Sequence, residues 1–114
     1  MDDDSRRGPA DWLNADQSWP AGRLRAHAPL GVHVDRAIAV NLQLAMNDTA
    51  VSLPELAGST GVSIRLLRDI VAGTAHASIS DVAVIERALG LQIWPSRKQL
   101  ELIWAQINEP PQPA

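Results

Sequence analysis

The chain contains no cysteine, no phenylalanine and no tyrosine. Without thiols it can form neither a disulfide framework nor a thiolate metal site. Four tryptophans supply all of the aromatic content, 4% of 114 residues, so the core must be built from Leu, Ile, Val and Ala. Alanine and leucine with little β-branched alternation favour helices over strands. No apolar run is long enough to span a bilayer. The opening MDDDSRRGP lacks the basic-then-apolar order of a signal peptide. A soluble, cytoplasmic protein is the expectation.

Catalytic signatures are missing as well. His27, His33 and His76 are scattered, with no ligand-spaced partner for a metal. GSTG, from Gly58 to Gly61, lacks the lysine and the preceding strand of a phosphate loop. Asp2 to Asp4 form a solubilising acidic run, and no nucleophile motif occurs. The expectation is a protein without enzymatic activity, cofactor or metal. Positive charge is scarce too: the net charge is −3. From Val34 to Leu91, four arginines (36, 65, 68, 87) stand against six carboxylates (35, 48, 55, 69, 81, 86), a balance of −2.

What is present is organised around LPELAGSTGVSIRLLRDIVA, Leu53 to Ala72. Ser52 and Glu55 have capping-box spacing, in which two side chains satisfy backbone donors left open at a helix start. Pro54 fits the first turn, where an N–H has no partner anyway. Gly61 supplies a position of positive φ, Ser63 caps a second helix, and Gly73 ends it. Ala57, Gly61 and Leu67 have the spacing of a helix-turn-helix: a small residue at the close approach, a glycine in the turn and a branched apolar residue pointing back. Leu56, Val62 and Ile70 fill the angle. An ordinary helix pair with a glycine turn is the bland alternative.

SLPELAGSTGVS, IRLLRDIVAG and ISDVAVIERALGL together resemble the Cro and phage-repressor family of regulators, the lambda-repressor-like or xenobiotic-response-element type, over residues 34–95. The Leu89, Gly90, Trp94, Pro95 segment is similar to one in short actinobacterial and prophage regulators. The resemblance implies an all-α, lambda-repressor-like bundle of about five helices containing a helix-turn-helix. It implies double-stranded DNA as the partner, and base reading by Ile64, Arg65, Arg68 and Asp69. Arginine can bond bidentately to guanine, aspartate can accept from cytosine, and isoleucine can pack on a thymine methyl. Thr74 and His76 lie in the loop that reaches phosphate in that family, and the capping serines Ser52 and Ser63 complete the candidate DNA-binding positions. The chain departs from the family at Gln43, where a basic residue is common, and at Val71, where a glutamate is common. Arg65 and Asp69 could instead pair with each other at i, i+4 on a solvated face.

Around this centre, residues 1–33 read as a largely irregular arm broken by Gly8, Pro9, Pro20, Gly22, Pro29 and Gly31. Trp12 or Trp19 could dock on the domain or on a protein partner, and Arg23 and Arg25 could follow a DNA backbone. A helix is predicted over 34–47, with Val34, Ile38, Leu42, Ala45 and Met46 buried and Asn41 and Gln43 outward. Another is predicted over 79–89, with Val82, Ile85, Ala88 and Leu89 buried. Leu91 and Ile93 return to the core. A last helix is predicted over 96–108, before a Pro-rich tail at 109–114. Its stripe, Leu100, Ile103, Trp104 and Ile107, either covers its own domain or forms a homodimer interface. Dimerisation would compensate for few phosphate contacts through avidity.

These features predict a sequence-specific DNA-binding transcriptional regulator, a small repressor of phage or mobile-element type. The rival is a protein-interaction module, an antitoxin or adaptor, using the same fold.

Overall fold

Serine-led helix starts punctuate the second half of the chain, and they set the architecture. In the computed structural model, which describes residues 8–14, 18–20 and 22–108, five α-helices follow a short 3-10 turn at Pro9–Trp12. They are α1 (Leu30–Thr49), α2 (Leu53–Thr60), α3 (Ile64–Ala72), α4 (Ile79–Leu89) and α5 (Arg97–Ile107). There is no extended strand among the described residues; one isolated antiparallel bridge joins Leu13 and Leu24. The class is all-α, as expected.

Each of α2 to α5 begins on a serine whose hydroxyl accepts a first-turn N–H. Ser52 Oγ accepts from Glu55 N at 3.2 Å, Ser63 Oγ from Leu66 N at 3.1 Å, Ser78 Oγ from Asp81 N at 3.0 Å and Ser96 Oγ from Gln99 N at 3.1 Å. Glu55, Asp81 and Gln99 reach back to the serine N–H in three of the four, completing capping boxes. Such caps stabilise by about 1 kcal/mol each. Short helices of eight to eleven residues need them, because helices of that length are marginal alone.

The aliphatic core forms where α1, α2, α3 and α4 converge. Ile38, Leu42 and Ala45 from α1 meet Leu56, Val62, Leu67, Ile70, Val82, Ile85, Leu89 and Ile93. Leu42, Leu56, Leu67 and Ile85 are fully buried, each stabilising by roughly 1.5–3 kcal/mol relative to exposure. Leu91 and Ala88, expected inside, are exposed; Ile93 alone of the post-α4 pair enters the core. Its entry is held by Glu86, whose carboxylate accepts the N–H groups of Ile93 at 2.8 Å and Trp94 at 3.0 Å.

Two expectations are corrected. Helix α1 starts at Leu30, not near Val34, so the anticipated boundary at residue 33 falls inside a helix. Gly31 sits in the first turn, where it does not break the helix, and Pro29 is the residue that stops it extending backwards. The described part of the arm also has defined structure. Leu24, Ala28 and Val32 are buried in a second small cluster with Trp12, Leu13 and Trp19 packed against it. Arg25, one of two arginines that could follow a DNA backbone, donates to the carbonyls of Leu13 at 3.1 Å and Asp11 at 2.8 Å. It closes the arm on itself.

Candidate nucleic-acid interface

Helix α3 is the most strongly two-sided element of the chain. Leu67 and Ile70 are buried in the core, while Arg65 and Arg68 are exposed. At 100° per residue these two pairs lie on opposite sides of the helix. The arginines cannot turn inward without leaving Leu67 and Ile70 in water. Gly61, at φ +78°, reverses the chain after α2, and its N–H bonds to Ala57 O at 3.0 Å. Ser63 then starts α3 after a turn of three residues, Gly61 to Ser63.

Among the described residues neither Arg65 nor Arg68 has an ion-pair or hydrogen-bond partner. The Arg65–Asp69 pair that could have neutralised the face does not form. Asp69 and Ile64 are half-buried beside the arginines. The face therefore offers two unengaged guanidiniums, one carboxylate and one branched apolar group.

The flanking positions are less free. Ser52 donates its hydroxyl hydrogen to Glu55 Oε1 at 2.9 Å, so its side chain is committed to the cap. Ser63 is exposed, with its oxygen accepting from Leu66 N–H and its own proton uncommitted. Thr74 Oγ1 donates to Asp69 O at 3.3 Å, and Thr74 N–H also bonds to that carbonyl at 2.9 Å. His76 projects from the loop after α3 and engages Asp35 of α1 through Nδ1. Burial pushes the Asp35 carboxyl up, opposed by His76 and by a hydrogen bond from the Ala77 backbone. The imidazole thus fixes the loop to α1 while its side chain stays 56% exposed.

The loop has a further anchor that no local pattern announced. Ala10 N–H donates to Gly73 O at 2.8 Å, and the Trp19 ring lies so close over Gly73 that a Cβ there would fall 2.6 Å from Cδ2. Gly8 is pressed against the Gly73 carbonyl and Thr74 backbone in the same way. These contacts span some sixty residues, a separation at which periodicity and capping signals carry no information.

The α5 stripe does not behave as one surface. Ile103 is buried within the bundle, Leu100 and Ile107 are half-buried, and Trp104 is 52% exposed. Of the four, Trp104 alone presents an open side chain to a second copy. Leu102, on the other flank of α5, is 57% exposed. Beside it, Arg36, Ala37, Val40, Gln99, Leu102, Ile103 and Gln106 line a shallow groove between α1 and α5.

Among the described residues no helix is long and apolar enough to cross a membrane. Compared with known proteins, the chain matches no protein-family model and no curated sequence.

Proposed function

We propose that this chain is a sequence-specific DNA-binding transcriptional regulator that reads the major groove with α3. The observation that carries the reading is the pair of exposed arginines, Arg65 and Arg68, unpartnered among the described residues, on the outward side of a short capped helix whose other side is locked into the core. Unengaged guanidiniums on a rigid element suit bidentate recognition of guanine. Asp69 and Ile64 add a cytosine acceptor and a thymine-methyl contact. Ser63, Thr74 and the loop backbone supply positioning contacts to phosphate, which need no positive charge. With so few cations one copy binds weakly, and a homodimer reading two half-sites provides the missing affinity. A repressor of phage or mobile-element type is the regulator class that the sequence resemblance over residues 34–95 implies.

The test is substitution at the face. Arg65→Ala and Arg68→Ala should each weaken specific binding by about 1–3 kcal/mol and relax discrimination at one base position. Unchanged affinity and unchanged site preference in both variants would remove these residues from the interface.

A second reading, a protein-interaction module such as an antitoxin or adaptor, is favoured by the apolar groups left on the surface. Ile79 is 82% exposed and Trp94 41%, in addition to Leu102 and Trp104. Such groups, with the net negative charge, suit a protein partner. One stoichiometric protein partner without DNA protection would favour it over the first.

A further inference from the structure

The arm's contacts converge on one place: the junction between α3 and the loop carrying Thr74 and His76. We propose that the arm is a positioning element for DNA reading, with Gly8, Ala10 and Trp19 holding the C-terminal end of α3 in register. This rests on the DNA-binding reading above.

Helix α3 is nine residues long, with Leu67 and Ile70 buried along one side and Leu66 and Val71 packed beside them. They resist its leaving the core but leave its tilt to whatever holds its ends. The Ser63 cap holds the first turn. At the other end Gly73 N–H bonds to Ile70 O at 3.2 Å, and the Gly73 carbonyl is taken by Ala10 N–H at 2.8 Å. Trp19 covers Gly73 on the side where a side chain would otherwise stand. Arg68 lies five residues before Gly73, about 7.5 Å along the axis. A change of tilt at Gly73 therefore moves Arg68 and Arg65 relative to any base edge, while Leu67 and Ile70 keep their burial. Thr74 moves with them, because Gly8 abuts its backbone directly.

The arm can bear this role because it is itself braced. Asn14 N–H bonds to Arg23 O at 2.8 Å, and Arg25 N–H to Trp12 O at 2.6 Å. Arg36 of α1 donates to Gly22 O at 3.2 Å. Leu24, Ala28 and Val32 tie the same segment to the start of α1. The arm thus bridges the first helix and the end of the reading helix, beside the His76–Asp35 contact that ties the following loop to α1.

Gly8→Ala is the minimal perturbation. Its Cβ would stand 2.5 Å from Gly73 O and 2.7 Å from Thr74 Cα, both backbone atoms, so the arm must lift while the aliphatic core is untouched. Trp19→Ala removes the cover, and Trp19→Phe keeps an apolar ring over Gly73.

The test uses the full chain and two readouts. On free protein, amide exchange at Ala10 should rise about tenfold in Gly8→Ala and Trp19→Ala, reporting local opening, with the helical melting transition retained. On a duplex selected by the wild-type chain, the same variants should bind about tenfold more weakly, equivalent to losing one base-reading pair, with affinity for random duplex unchanged. Trp19→Phe should restore most of both. Lifted arms with undiminished specific affinity would overturn the proposal, as would an Ala10 amide that exchanges freely in the wild type. Equal losses on specific and random duplex would reduce the arm to a stability element and overturn it too. A wild-type chain that selects no duplex at all would overturn the DNA reading and with it this role, while the exchange data would still show whether the clamp exists.

Discussion

Asn41 of α1 and Gln99 of α5 face each other and exchange both of their amide hydrogen bonds, Asn41 Nδ2 to Gln99 Oε1 at 3.0 Å and Gln99 Nε2 to Asn41 Oδ1 at 2.9 Å. Asn41 Nδ2 also donates to Ile93 O at 3.0 Å, and Gln99 Oε1 accepts the Ser96 N–H at 2.8 Å. One half-buried carboxamide pair therefore fixes the last helix, its cap and the segment leading into it. Helical periodicity alone places Asn41 on the outside of α1.

The pair predicts a large and coupled stability effect. Asn41→Ala leaves the Ile93 carbonyl and the Gln99 amide without this partner, and should cost about 1–3 kcal/mol in chemical denaturation. Gln99→Ala should cost a similar amount. The double variant should show a coupling of at least about 0.5 kcal/mol, because both changes remove the same two bonds. Additive losses would show that the side chains act separately.

Two glycines with the same backbone angle separate conformational strain from steric exclusion. Gly61 and Gly73 both have φ +78°, but a Cβ on Gly61 meets nothing within 4 Å, whereas one on Gly73 meets Trp19 and Ala10. Gly61→Ala should cost about 1–2 kcal/mol, the penalty of a side chain in the left-handed region. Gly73→Ala should cost more and should shift Trp19 fluorescence, since the ring must move. Equal costs and an unchanged emission spectrum would contradict the placement of Trp19.

Acid should destabilise the chain through His33. This imidazole is buried on α1, its Nδ1 finds no hydrogen-bond partner among the described residues, and burial, aided by nearby Arg36, lowers its pKa from 6.5. The unfolded chain therefore takes up this proton first, and stability contributed at neutral pH is lost as pH falls below 6.5 towards the depressed folded value. Asp35 acts in the opposite sense: its raised pKa favours the folded state as pH falls towards 3.8. Comparing wild type with His33→Gln isolates the histidine. Unfolding free energies measured from pH 7.5 to 5 should change in the variant's favour as pH drops. A pH-independent difference would mean that His33 titrates alike in both states.

Legibility in the sequence followed the range of the interactions. Helices α2 to α5 were readable because each start is written locally, in Ser52 with Glu55, Ser63, Ser78 with Asp81 and Ser96. The opposed faces of α3 followed from 100° spacing alone. The start of α1 is not legible, because Gly31 reads as a breaker, although a first-turn glycine is tolerated when packing holds the turn. The arm is hidden for a different reason: its order comes from Ala10 with Gly73 and from Trp19 over Gly73, pairs that only the tertiary fold brings together. Trp12, Leu13, Trp19 and Leu24 follow no helical period, so their cluster had no pattern to reveal it. The His76–Asp35 contact was hidden likewise, since forty-one residues separate the two.

DNA reading by α3 is the proposal on which the rest depends. The most direct measurement is selection from randomised duplex DNA by the purified full chain, repeated at about 50 mM and 200 mM salt, where phosphate contacts reveal themselves through loss of affinity. The predicted result is an enriched palindrome with half-sites about 34–36 Å apart, bound more weakly at the higher salt. A folded chain that enriches no sequence at either salt would contradict the account.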